Sequence, residues 1–279
     1  MSDTLSQRLL TAGVLIPIVV AIVLLAPSSV IALVFSVFVL GAAWEWAGLS
    51  GFSNVGRIGF AALCVVLLYV MLESGEPTGL SMPVLAVGIL WWLVASVWVL
   101  GYQLGRTEGG WFDARWARVP IGLLLLVPTV TALLLVHAGG ERGPALLLTL
   151  MVLTWGADTG AYASGRLWGK HRLASRVSPG KTWEGFAGGL VVALLVAWCS
   201  AFWLGMSMGE AIRFMVLCGA TAAASVLGDL TESLFKRRSG AKDSSSLLPG
   251  HGGVLDRVDS LCAAAPVFAL GLGLIGITA

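Results

Sequence analysis

Residues 119–136 read VPIGLLLLVPTVTALLLV, a run without a single charge. A helix that crosses the hydrocarbon core of a bilayer needs about 20 mostly apolar residues, with a range of roughly 17–25, so this stretch predicts a membrane span. Pro128 is tolerable inside it, because neighbouring helices can satisfy the carbonyl it frees. Eight further runs qualify or nearly so: 9–26, 28–44, 58–72, 83–100, 144–164, 183–205, 211–233 and 259–278; 58–72 is short and only APSS splits the first pair, so eight or ten spans are the alternatives. Composition agrees, with 57% apolar and 11% charged residues against about 25% charged in soluble domains. The first run meets Pro27 and no small-x-small cleavage pattern, so it reads as a retained helix and not a signal peptide.

The expected fold is all-α: a polytopic membrane protein of about nine transmembrane helices, forming one membrane domain over 1–279. Within it, 1–143 are less informative helices and 144–279 carry the chemistry. Basic residues in alternate loops give the orientation. Fifteen of the 17 Lys and Arg fall on the side of the N-terminus and the even-numbered loops, leaving only Arg142 and Arg213 opposite. That side is therefore expected to be cytoplasmic. The cysteines (Cys64, Cys199, Cys218 and Cys262) sit in apolar runs without CxxC spacing and read as buried small residues. Trp91, Trp92, Trp98, Trp111 and Trp116 read as an interfacial aromatic belt.

Carboxylates are costly in lipid, and those within membrane segments usually pair or bind ions. Asp158, Glu184, Asp229, Glu232, Asp256 and Asp259 lie in or at the ends of the last four spans. In SVLGDLTESLFKRR (225–238), Ser225, Asp229, Glu232, Ser233 and Lys236 follow at three or four residues and line one stripe of a helix. Gly228 leaves room there for a close approach. Asp256 and Asp259 share a face if their segment is helical, although acids at a helix start also suit the macrodipole alone. Beside Asp229 they can offer oxygens to Mg²⁺, which commonly joins one or two carboxylates to substrate phosphates.

Basic, glycine-containing loops supply the complementary half. RVSPGKTWEG (176–185) brings Lys181 and Thr182 to the start of a span, where backbone N–H groups suit a phosphate. Its GKT shares the tail of a P-loop, but Ser175 stands where that motif's first glycine belongs, and no strand was expected ahead of it. In HGG (251–253), Gly252 and Gly253 permit close backbone approach. As a lone histidine, His251 would more often be structural or merely exposed.

SLFKRRSGAKDSSSLLPGHGGVLDRVD (233–259) resembles the signature of the phosphatidate cytidylyltransferases, the CDP-diacylglycerol synthases. Each position of the pattern is filled: Ser, Lys-Arg, Lys-Asp, Pro, His-Gly-Gly and Asp-Arg-x-Asp. WGADTGAYASGRLWGKHRLASRVSPGKTWEGFAGG (155–189) is similar to the family too, with Gly180 where a second lysine often stands, and WEW (44–46) adds a minor likeness. The resemblance implies an integral membrane enzyme of about nine helices, assembled as a homodimer. It would join CTP to phosphatidic acid with Mg²⁺, giving CDP-diacylglycerol and pyrophosphate. It would sit in the inner (cytoplasmic) membrane with its active site facing the cytoplasm.

The same resemblance implies Asp229 and Asp256 as metal ligands, with Asp259 and Glu232 behind them. Ser233, Lys236 and Arg237 would face the lipid phosphate or the nucleotide. Lys242, His251 and Arg257 would stabilise the triphosphate and the leaving pyrophosphate. Asp158, Tyr162 and Lys181 would line the same cavity. No nucleic acid partner is expected. The competing readings are a related nucleotidyltransferase or kinase acting on another lipid, ether-linked or isoprenoid, and an ion-coupled transporter.

Overall fold

A computed structural model describes residues 17–73, 79–107, 112, 114–241, 243–245 and 252–277. Among them nine helices form: α1 (17–25), α2 (Ser28–Leu49), α3 (Asn54–Glu73), α4 (Ser81–Gln103), α5 (Arg115–Ala138), α6 (Gly143–Trp168), α7 (Trp183–Trp203), α8 (Met208–Arg238) and α9 (Leu255–Leu274). Helices α2 to α9 are each long and apolar enough to cross a membrane, and α1 is described only from residue 17. The all-α expectation holds.

α8 is the longest of them, at 31 residues. At 1.5 Å per residue it spans about 46 Å, more than the roughly 30 Å of a hydrocarbon core. Its start is fixed by a capping box, in which Ser207 and Glu210 satisfy each other's backbone N–H groups. Its last turn holds Lys236, Arg237 and Arg238, cations that complement the negative end of the helix dipole. Gly228, halfway along the functional stripe, lets α9 press against α8: a Cβ there would collide with the carbonyl oxygen of Asp259.

The connecting segments gather at two ends of the bundle. At one end Arg118 Nη1 donates to the Leu49 carbonyl at 3.0 Å, and Gln103 bonds Ser175 and the Arg176 N–H. At the other, His137 lies 3.0 Å from Ser28 Oγ and 3.1 Å from the Val23 carbonyl.

One element was not anticipated. Residues after α6 form an antiparallel hairpin, β1 (Arg172–Ala174) with β2 (Ser178–Thr182), paired Arg172 to Thr182 and Ala174 to Ser178. Ala174 and Val177 are buried and pin the hairpin to the bundle. A strand thus does precede Ser175, yet the GKT lies within β2 itself, so it forms no phosphate-wrapping loop.

Two further expectations are corrected. Trp91, Trp92 and Trp98 are buried and belong to the core, not to an interfacial belt, while Trp116 is exposed; Trp111 lies outside the described residues. For Trp92 the reason is Pro266, inside α9. Proline has no N–H to give the carbonyl four residues earlier, which is that of Cys262. Trp92 Nε1 donates to that carbonyl at 3.1 Å, and Thr129 Oγ1, also 3.1 Å away, shares its one proton between it and the Leu125 carbonyl at 2.5 Å. Trp98 instead packs with Phe112 and Phe235, and Phe235 also meets Trp46, with ring centroids 4.2–4.9 Å apart. Cys64, Cys218 and Cys262 are buried as expected, but Cys199 is exposed on α7.

Removing both donors in Trp92→Phe/Thr129→Val leaves the Cys262 carbonyl unpaired, at a cost of roughly 1–3 kcal/mol. The thermal midpoint in detergent is expected to fall accordingly, and adding Pro266→Ala, which restores an intrahelical N–H, is expected to recover part of the loss.

Candidate active site

The stripe on α8 meets three other elements at the end of the bundle that carries the hairpin. Lys181, on β2, reaches Asp229 with Nζ 2.7 Å from Oδ2, and Ser233, one turn further along α8, donates to Asp229 Oδ1 at 3.1 Å. Lys236 lies 2.7 Å from Asp256 Oδ1 on α9 and 3.5 Å from Glu232 Oε1. Ser260 donates to Asp158 Oδ2 at 3.2 Å, joining α9 to α6. Asp158 interacts electrostatically with both Asp229 and Lys181. Ser225, at the deep end of the stripe, is buried and spends its hydroxyl on the Ala222 carbonyl.

Asp256 stands in the first turn of α9 and closes the loop before it. Besides Lys236, it accepts from the Ser244 N–H, the Ser244 hydroxyl at 3.0 Å and the Gly253 N–H at 2.8 Å. The glycines of the HGG segment are therefore packed against carboxylates. Gly252 has φ +79°, and a Cβ on it would lie 2.9 Å from Asp256 Oδ2. A Cβ on Gly253 would collide with Ser244 Oγ and lie 2.5 Å from Glu45 Oε2. Close approach was anticipated there, with a phosphate as the expected neighbour; the neighbours in the structure are side chains of the chain itself.

Glu45 is the residue that sequence reasoning missed. Only 2% exposed, it comes from α2 in the first half of the chain. It accepts from Ser244 Oγ at 2.9 Å, Ser245 Oγ at 2.6 Å, and the N–H groups of Val254 and Leu255 at 2.9 and 2.7 Å. The last two are among the N–H groups left over at a helix start, and an anion there is favoured by the dipole. The one available signal was an acid between two tryptophans in an otherwise apolar run.

Thr182 caps α7, its Oγ1 accepting from the Gly185 N–H at 3.1 Å, and is buried. Expected among the substrate-binding residues, Thr182 is a helix cap in the structure. The remaining N–H groups of that region are also occupied, Trp183 by the His171 carbonyl, and Lys170 and His171 by Glu184. Tyr162 is exposed on α6 and bonded to Arg166 at 3.0 Å. Arg237 and Arg257 are exposed beside the site. Lys242 and His251 lie outside the described residues.

The four acids expected to converge on a metal are instead divided by two lysines. Asp229 faces Lys181; Glu232 and Asp256 share Lys236, and Asp259 lies alongside Glu232. Among the described residues no three His, Cys, Asp or Glu gather closely enough to hold an ion by themselves. The donors still suit Mg²⁺ in kind. The oxygens of Glu232 are buried with Lys236 no nearer than 3.5 Å and a second carboxylate, Asp259, beside them. Asp158, Asp229, Glu232, Asp256 and Asp259 also outnumber the two lysines. A cation attached through one or two carboxylates, with phosphates completing its shell, matches this set; an all-protein cage does not.

Gly253→Ala forces the loop off Glu45 and Ser244 and is expected to cost about 1–3 kcal/mol, read as a lower thermal midpoint. Gly180→Ala, with open space around it, is expected to leave the midpoint unchanged.

The profile described as the Cytidylyltransferase family matches residues 6–275. A phosphatidate cytidylyltransferase of Pseudomonas aeruginosa is 43% identical over 266 residues, covering 95% of this chain and 96% of that protein. One from Haemophilus influenzae is 38% identical over 282 residues, covering 95% and 97%. One from Staphylococcus aureus is 42% identical over 130 residues, covering 46% of this chain and 48% of that protein. On a profile match that runs through all nine helices and relatives similar along nearly their whole length, this chain belongs to the cytidylyltransferase family.

Proposed function

We propose that this enzyme transfers the cytidylyl group of CTP to phosphatidic acid, forming CDP-diacylglycerol and releasing pyrophosphate. The observation that carries the reading is the pair of lysines, Lys181 and Lys236, each held on a carboxylate at the end of a membrane-spanning bundle. There a lipid phosphate at the bilayer surface and a water-soluble triphosphate can meet.

An oxygen of the lipid phosphate attacks the α-phosphorus of CTP, and the bond to the β-phosphate oxygen breaks. The nucleophile is already an anion, so a strong general base is unnecessary. The obstacle is mutual repulsion of two polyanions, which makes positioning and charge neutralisation the main catalytic effects. Lys181 and Ser233 flank Asp229 and can face the lipid phosphate. Lys236, Arg237 and Arg257 are placed for the triphosphate and for charge developing on pyrophosphate. Asp229 and Asp256, with Asp259 and Glu232 behind them, would hold Mg²⁺, which would neutralise phosphate charge when bound.

The distribution of basic residues supports an inner-membrane protein whose site opens to the cytoplasm, where CTP is available. The family resemblance supports a homodimer, which light scattering of the detergent-solubilised protein would reveal as twice the protomer mass.

Purified protein given Mg²⁺, CTP and phosphatidic acid is expected to release pyrophosphate and form CDP-diacylglycerol. Turnover with a polyprenyl phosphate but not with phosphatidic acid would replace this reading by the related-lipid one. Asp229→Asn and Asp256→Asn are each expected to reduce kcat by at least about 100-fold, the scale of losing a preorganised electrostatic contact. Normal turnover in either variant would remove that residue from the site. Chelation by EDTA is expected to abolish activity, and added Mg²⁺ to restore it.

A further inference from the structure

We propose that Glu45 is a positioning residue for this reaction, acting on Asp256 through the hydroxyl of Ser244. Ser244 Oγ lies 2.9 Å from Glu45 Oε2 and 3.0 Å from Asp256 Oδ2. A hydroxyl has one proton, so the two carboxylates share a single donor and the position of one constrains the other. The coupling has a second route. Glu45 holds the N–H groups of Val254 and Leu255, and Asp256 is the next residue. The Asp256 carboxylate is thus held by Ser244 on one side and by the start of α9 on the other, and Glu45 anchors both. Its remaining face meets Lys236 at 2.7 Å, so the direction in which that ammonium points is set by a residue from α2 that itself stays buried.

Glutamate suits this place because both of its oxygens accept. An amide has only one acceptor oxygen and would turn its NH₂ toward N–H and O–H donors. The proposal rests on the reading that the chain makes CDP-diacylglycerol.

The test is a double-mutant cycle on the purified full-length enzyme, with kcat and both KM values measured for Glu45→Gln, Ser244→Ala and the pair. Glu45→Gln is expected to lower kcat by about 100-fold, the scale of a small misplacement of reacting groups. Ser244→Ala is expected to lower it by about tenfold, as for loss of a hydrogen bond to a charged group. KM for CTP and for phosphatidic acid should change far less than kcat. The double variant should be no slower than Glu45→Gln, because Ser244→Ala removes only a link that Glu45→Gln has already broken. Wild-type kcat in Ser244→Ala, or a double loss equal to the product of the single losses, would overturn the proposal. If Glu45→Gln does not fold, Glu45→Asp, which keeps the charge but draws the carboxylate back from Ser244, takes its place in the cycle with the same expected outcomes. A wild-type enzyme without turnover on phosphatidic acid would sink the functional reading instead, so the two failures are distinguishable.

Discussion

Acids set among apolar helices have to find partners where they stand, and here they are concentrated at one end of a helix bundle. Asp158, Asp229, Glu232, Asp256 and Asp259 come from three helices, and Lys181 and Lys236 enter among them. Glu232 is buried and Asp229, Asp256 and Asp259 are partly so, and a carboxylate withdrawn from water is costly when unpaired. Joined to lysines, hydroxyls and backbone N–H groups, most of these acids become cross-links that fix the relative position of α6, α8, α9 and the hairpin. The polar network therefore serves the fold and the chemistry together: the contacts that hold the helix ends in register also present cations toward phosphate-sized anions.

Close packing makes this possible. Gly228 brings the backbone of α9 against α8, and Gly253 brings the preceding loop against Glu45. Pro266 interrupts the hydrogen bonding of α9, and Trp92 and Thr129 take up the carbonyl it frees. Each of these compensations lies on a different helix from the residue that needs it. A substitution on α4 or α5 can therefore disturb the site from a distance, through the path of α9.

The spans and the acid stripe were legible in the sequence because they rest on local regularities. Runs of about twenty apolar residues and a three-to-four spacing of Asp229, Glu232, Ser233 and Lys236 need no knowledge of the tertiary fold. What was not legible depended on partners far away in the chain. Trp92 looked like an interface residue until Pro266 gave its N–H a target 170 residues on. The cap that Thr182 makes with the Gly185 N–H depended on where the helix begins after the hairpin. Glu45 was hidden for the same reason, since its four donors all come from residues 244–255. The hairpin escaped because its strands are only three and five residues long, too short for a periodic pattern.

The distance in sequence between Glu45 and its donors, 199 to 210 residues, bears on how the protein is made. Chains leave the ribosome at about 5–20 residues per second, so α2 precedes its partners by about 10–40 s. Through that interval the Glu45 carboxylate has neither the serine hydroxyls nor the start of α9 to meet it. Its burial must wait for the last helix to arrive. Locking of the first half of the bundle onto the second is thus tied to completion of the loop that bears Asp256, and a chain truncated before α9 is left with an acid that its own core cannot accept.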